Sequence, residues 1–137
     1  MENNTPKSGF NVLNIILVES SFSRINQVFF DQESTRNDMN IHVDTAVNGE
    51  QINVAETVTI TQVYNEVEQV KIKVRMVGLF EHFGDVELPL ETFGRVNGAA
   101  IIFPYIREHI TSLSQKAGIP PIILPTVNFA NSVEEKR

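Results

Sequence analysis

Apolar residues return at every second position through the first part of this chain and at every third or fourth through the last, and the change happens once. A side-chain period of two belongs to strands, and one near 3.6 to helices. The pattern is clearest in residues 69–76. There Val70, Ile72, Val74 and Met76 point one way, while Gln69, Lys71, Lys73 and Arg75 point the other and are expected to be solvated. Met39, Ile41, Val43 and Val47 alternate with Asn40, His42 and Asp44 in the same manner. Beyond residue 88, Ile102, Ile106, Ile110 and Leu113 share one helical face, and Gly118 followed by Pro120 and Pro121 ends it. Strands first and helix after is an α+β arrangement, a four-stranded antiparallel sheet followed by a long helix packed on one face.

Residues 10–18, FNVLNIILV, are apolar on both strand faces, with Phe10, Val12, Ile16 and Val18 against Leu13, Ile15 and Leu17. Such a strand needs cover on both sides. One cover can be the chain's own helix, and the other a second copy. Residues 31–38, DQESTRND, read as a polar loop, and Asn48-Gly49 predicts a type I′ turn leading into the strand ETVTITQVY at 56–64. Four sequential strands with short links make a meander or a Greek key. Pro104 should kink or split the helix, and Gly94 and Gly98 either loosen its first half or permit close helix contact.

A length of 137 residues suits one domain, expected at 10–129 between a disordered tail at 1–9 and a short tail at 130–137. The net charge of −6 argues against nucleic acid or an anionic membrane as the main partner, because phosphate binding needs clustered cations. With no cysteine there is no disulfide, thiolate nucleophile or cysteine-ligated zinc. The N-terminus lacks a cationic segment followed by an apolar run, and the longest apolar stretches, 15–18 and 99–103, fall far short of the roughly 20 residues that span a bilayer. A cytoplasmic protein without membrane insertion is expected.

Little in the chain points to catalysis. His42, His82 and His109 are scattered without a metal-binding spacing, and Ser20, Ser21 and Ser23 lie in no nucleophile elbow. Asp85 and Glu87 could serve as general acid and base in a polar pocket with His82, the rival reading of a small enzyme, but loop carboxylates at this spacing are ordinarily just solvated. GRVNG at 94–98 has too few glycines for a dinucleotide loop. No catalytic residue, metal or cofactor is expected. What stands out is apolar surplus at chain irregularities: Phe22, Phe29 and Phe30 before the polar loop, and IPPIILPTVNF at 119–129. Such a segment can be a lid on the core. Pinned by proline, it cannot form ladders throughout, so it can also wall a groove for an extended peptide.

FPYIRE at 103–108, continued by HITSL and, after a glycine-bearing break, by IPPIILPTVNF, resembles the helix and C-terminal loop of the SecB chaperones, and the spacing of the two blocks matches as well. Weaker agreement extends upstream through Glu19 and Phe22, VDTA at 43–46 and GLF at 78–80. The resemblance implies a SecB-like sheet and helix assembled as a homotetramer, a dimer of dimers in which first strands pair at one interface and long helices pack at the other. It implies a non-enzymatic holdase that keeps unfolded precursor polypeptides export-competent in an apolar groove and delivers them to the translocase motor SecA.

Carried over by position, the implied client groove comprises Phe29, Phe30, Met39, Ile41, Val43, Ile119, Ile122 and Leu124. The implied oligomer interface comprises Val12, Leu13, Ile15, Leu17, Gly98, Ala99 and Ile102, and the implied translocase contact is Glu19. Two features depart from the family. The chain ends eight residues after Phe129, which is expected to shorten one groove wall. Ser23 replaces a second acid, and Lys71 and Lys73 stand where an apolar and an acidic residue are expected, which weakens docking to a cationic partner. The alternative is therefore a SecB-like chaperone or adaptor dedicated to one client, such as an antitoxin, without SecA delivery.

Overall fold

The structure, a computed structural model, describes residues 6–85 and 87–130, so most of both expected tails, residues 1–5 and 131–137, lies outside it. Four strands, β1 (Gly9–Arg24), β2 (Thr35–Asn48), β3 (Gln51–Tyr64) and β4 (Val67–Phe83), form one antiparallel sheet in the order β1-β4-β3-β2. Strands two to four are joined by hairpins and the first returns beside the fourth, which makes the topology a Greek key.

The hairpin turns differ from expectation. Asn48 pairs with Gln51, so Gly49 and Glu50 are the central residues, and positive φ falls on Gly49 (61°) without Glu50. That is the type II′ pattern in place of I′. Between β3 and β4, Asn65 and Glu66 both have positive φ, 48° and 65°, and form the I′ turn that the sequence did not announce. β2 also begins earlier than expected, at Thr35, and takes up half of the polar stretch.

β3 and β4 follow the alternation closely. Ile52, Val54, Val58 and Ile60 join Val70, Ile72, Val74 and Phe80 on one buried face. A short helix α1 (Leu90–Thr92), a π-helical turn (Phe93–Gly98) and the long helix α2 (Ala99–Lys116) follow, with α2 and the segment 119–129 completing the same core. Pro104 sits inside α2 without splitting it. Pro104 and Ala100, whose carbonyl loses its helical donor to the proline, are both exposed, so water can take up the missing bond. The irregularity lies one turn earlier, in the π-helical stretch. A Cβ added to Gly94 or Gly98 would stand 2.9 Å from Thr45 Cγ2 or Val54 Cγ2, so these glycines bring the helix backbone down onto its own sheet. At the far end Gly118 (φ 73°) closes α2 with a Schellman motif, in which Ile119 N–H donates to Ser114 O at 3.2 Å and Gly118 N–H to Gln115 O at 3.1 Å.

Three bulges break the simple alternation. In β1 the register shifts between Val12 and Asn14 and again between Leu17 and Glu19, leaving Leu13 and Val18 as extra residues. The face shared with the core strands is therefore Phe10, Val12, Ile15, Leu17, Ser20 and Phe22, a set that strict alternation scrambles. In β4, Gln62 opposes Val70 while Val63 opposes Glu68, which leaves Gln69 between them. The expected solvation of Gln69 is thus corrected: the bulge turns its side chain inward, and it is 2% exposed.

Candidate functional site

Two irregular segments, residues 25–34 and 119–124, meet at the end of the sheet where β2 begins, and side chains tie each of them down. The Gln69 amide binds both backbone groups of Phe29, accepting from its N–H at 3.0 Å and donating to its carbonyl at 2.7 Å. Its remaining N–H donates to Gln62 Oε1 at 2.9 Å, and Gln62 donates in turn to Asn37 Oδ1 at 3.0 Å. Both N–H groups and the oxygen of the Gln69 amide are thereby engaged. Phe29 stacks on Tyr64 with ring centroids 4.9 Å apart. On the other side, Ile122 N–H donates to Ser114 Oγ at 2.9 Å, and Thr111 Oγ1 donates to the Ile122 carbonyl at 2.7 Å. Both segments are held through the two backbone groups of a single residue.

The second clamp decides which side chains of 119–124 face out. Ile119, Ile122 and Leu124 are buried, whereas Ile123 is 74% exposed. Ile123 stands as a ridge between two hollows. One, of about 310 Å³, is lined by Phe30, Thr35, Asn37, Gln62, Pro120, Pro121, Ile122 and Ile123. The other, of about 470 Å³, runs along α2 and is lined by Pro104, Arg107, Glu108, Thr111, Ser112, Gln115 and Ile123. The hollows mix apolar side chains with hydroxyl and amide groups and, along α2, with the charged Arg107 and Glu108, which suits an extended chain whose side chains need burial and whose backbone needs partners.

The expected groove residues are thus only partly at the groove. Phe29 and Phe30 are exposed there, and Met39 and Ile41 are half-buried against the core. Val43, Ile119 and Leu124 belong to the core, which corrects their assignment as open groove surface, whereas Ile122, though largely buried, still lines the smaller hollow beside Phe30, the two prolines and Ile123. Two consecutive prolines erase the period from which facing could be read.

Of the expected interface, Val12, Leu13 and Leu17 are exposed on β1 together with Ile16 and Val18, and Ile15 is half-buried against the core. The outer edge of β1 pairs with no strand among the described residues. Gly98, Ala99 and Ile102 are corrected as well, because they are buried against the chain's own sheet. The outward residues of this part of α2 are Ala100, Ile101 and Tyr105. Glu19 lies 3.5 Å from Lys73, so the expected contact acid already has a cationic neighbour.

Two features escaped the sequence reading. Ser20 Oγ and His109 Nε2 are 2.8 Å apart, and Arg24 Nη1 donates to the Ala117 carbonyl at 2.6 Å, so β1 and α2 are stitched at two points. The second is Glu56, on the inward face of β3 opposite Val43 and Met76. It is 0% exposed, and neither carboxylate oxygen has a hydrogen-bond partner. Burial pushes its pKa up to about 8.

The residues of the rival enzyme reading are less constrained. Asp85 and Glu87 are exposed, and His82 lies edge-on to Phe10 with centroids 6.5 Å apart. Among the described residues no cluster of His, Asp and Glu could hold a metal ion, and no helix is long and apolar enough to cross a membrane.

The family model described as "SecB: Preprotein translocase subunit SecB" matches residues 3–136. This chain belongs to the SecB family. It is 30% identical to the protein-export protein SecB of Paraburkholderia xenovorans, over 98% of this chain and 87% of that one. Against the protein-export protein SecB of Nitrosomonas eutropha the identity is 31%, over 81% of this chain and 71% of the relative. Among solved structures, the Mycobacterium tuberculosis SecB-like chaperone, in complex with an antitoxin peptide, superposes with a TM-score of 0.72 at 14% identity, covering 86% of this chain and 90% of that one. In this SecB-family chain the two motif blocks, 103–108 and 119–129, are the helix and the pinned segment that flank the hollow along α2.

Proposed function

We propose that this SecB-family chain is a holdase chaperone that binds unfolded precursor polypeptides along the surface made by Phe29, Phe30, Pro120, Pro121 and Ile123 and keeps them export-competent. The observation that carries this reading is Ile123, an aliphatic side chain 74% exposed beside a residue, Ile122, whose two backbone groups are both bonded to side chains of α2. A free-standing domain gains nothing by fixing an isoleucine in water. Covering it, or the half-exposed face of either phenylalanine, contributes about 1–2 kcal/mol each, enough for transient and promiscuous binding. Residues 10–129 act as one chaperone domain in the cytoplasm, and no step of this role calls for a catalytic group or cofactor.

The test is suppression of aggregation of an unfolded precursor, followed by light scattering. Ile123→Asp with Phe30→Asp should abolish suppression with the fold intact by circular dichroism. Suppression equal to that of the parent chain would place client binding elsewhere.

For assembly, the apolar outward residues and open edge of β1 favour pairing of first strands between two copies, and the outward face of α2 at Ala100, Ile101 and Tyr105 favours a second contact that makes a dimer of dimers. A sizing column with light scattering reads the mass. A monomer at micromolar concentration would exclude this assembly.

A second reading rests on the ion pair of Glu19 and Lys73. It favours a chaperone dedicated to one client, as the mycobacterial SecB-like protein is seen with an antitoxin peptide, over one that delivers to SecA. Pull-down with the host SecA at low salt separates the two: retention supports export delivery, and no retention leaves the dedicated chaperone.

A further inference from the structure

The face of the sheet turned away from α2 carries a charge arrangement that the groove does not use. Lys71, Lys73 and Arg75 occupy alternate positions on β4, so their cationic groups project from one face at intervals of roughly 7 Å. A hydroxyl residue of β3 lies beside each: Thr61 opposes Lys71, Thr59 opposes Lys73 and Thr57 opposes Arg75. Arg75 Nη1 donates to Thr57 Oγ1 at 3.2 Å, which holds the guanidinium flat along the sheet. On β1, Ser23 and Ser21 flank the two lysines from the other side. In a chain with a net charge of −6, this is a column of three cations along one strand, bordered by hydroxyls on β3 and, at the two lysines, on β1.

The acids on the same face are either spoken for or at its margins. Asp38 pairs with Arg36 at 3.1 Å, Asp44 lies 3.1 Å from His42, and Glu81 is at the far end of β4. Glu19, opposite Arg75 and 3.5 Å from Lys73, intrudes on the column, and the exposed Glu68, opposite Val63 beyond the bulge, stands at its Lys71 end. Among the described residues the helices and the 119–129 segment all pack on the opposite face.

We propose that this open face docks an extended acidic segment of a partner protein, its carboxylates seated over Lys71, Lys73 and Arg75. An extended peptide places alternate side chains at the same interval of roughly 7 Å, so acids at every second position match the column without distortion. The threonine hydroxyls supply further donors to carboxylate or peptide oxygens. Glu19 competes for Lys73 and must be displaced. Nucleic acid suits the face less well, because three cations on a net-negative chain do not offset the charge density of a phosphate backbone. The face lies behind the groove, so client and acidic partner can be held together.

The experiment is fluorescence anisotropy with a labelled twelve-residue Asp-Ser repeat peptide, titrated with the full chain at low salt, with a Lys-Ser repeat as control. Lys71→Glu with Lys73→Glu should weaken binding by about tenfold or more while the melting temperature and aggregation suppression stay unchanged. Glu19→Gln should act in the opposite direction and tighten binding about two- to fivefold, a gain that a merely structural role for these residues does not produce. Should the charge-reversed chain fail to fold, Lys71→Gln with Lys73→Gln reads the same loss at smaller size. Three results would overturn the proposal: the acidic peptide binding no better than the basic control, affinity unmoved by charge reversal, or a single-stranded oligonucleotide of equal charge competing as well as the peptide.

Discussion

Beside the groove, the buried side chains of Gln62, Gln69 and Ser114 have partners and together fix Asn37, Phe29 and Ile122, while the Thr35 hydroxyl at the same hollow has none. Under the helix, Glu56 is equally buried and has none. The contrast separates two uses of polarity inside a protein. Where the backbone is irregular, an amide or a pair of hydroxyls replaces the missing ladder and converts a loop into a wall. Where the backbone is regular, as in β3, a polar group has no such work, and its burial is a cost that keeping the proton reduces without cancelling.

The largest effect should come from removing the unpartnered acid. The unfolded chain releases the Glu56 proton above the ordinary value of 4.5, whereas the folded chain keeps it until about pH 8. Stability from this group is therefore complete below pH 4.5, declines as pH rises through that window, and levels off above 8. Glu56→Gln should remove the decline and leave the variant more stable at pH 8 by on the order of 4 kcal/mol, with little difference at pH 4, as read by urea melts at both values. Parallel melting curves at the two pH values would mean that the carboxyl is hydrated.

The partnered side of the contrast should respond with the opposite sign. Thr111→Val with Ser114→Ala strips both bonds from Ile122 and should cost about 3 kcal/mol, with aggregation suppression lost because Ile123 is no longer held out. Gln69→Leu should cost about 2 kcal/mol, and fast hydrogen exchange at the Phe29 amide would locate the damage in residues 25–34. The smallest change in stability, within about 0.5 kcal/mol, belongs to Ile123→Asp, although it should remove most client binding. If that variant is destabilised instead, Ile123 has a packing role and the ridge assignment fails.

The sheet and helix were legible because β3, β4 and α2 follow their periods over long runs. β1 was legible as a strand but not as two faces, since the bulges at Leu13 and Val18 shift the alternation twice and leave no mark in composition. The same holds for Gln69. Glu56 was readable in principle: Ile52, Val54, Val58 and Ile60 mark one face, and Glu56 falls on it. In the groove the presence of an apolar wall could be anticipated from IPPIILPTVNF, but which isoleucine faces out depends on hydroxyls on a helix eight to eleven residues earlier. The small residues at 94–100 suggested close approach correctly and the partner wrongly, because a glycine serves a sheet as readily as another helix.

Glu56 also couples shape to acidity. At pH 7 the closed molecule carries a proton that a solvated carboxyl would have surrendered. Any event that lifts α2 from the sheet far enough to wet that position must discharge about one proton into the medium, so the heat of opening should vary with the ionisation enthalpy of the buffer. A calorimeter run in two buffers could then report how far the molecule loosens when it takes up a client.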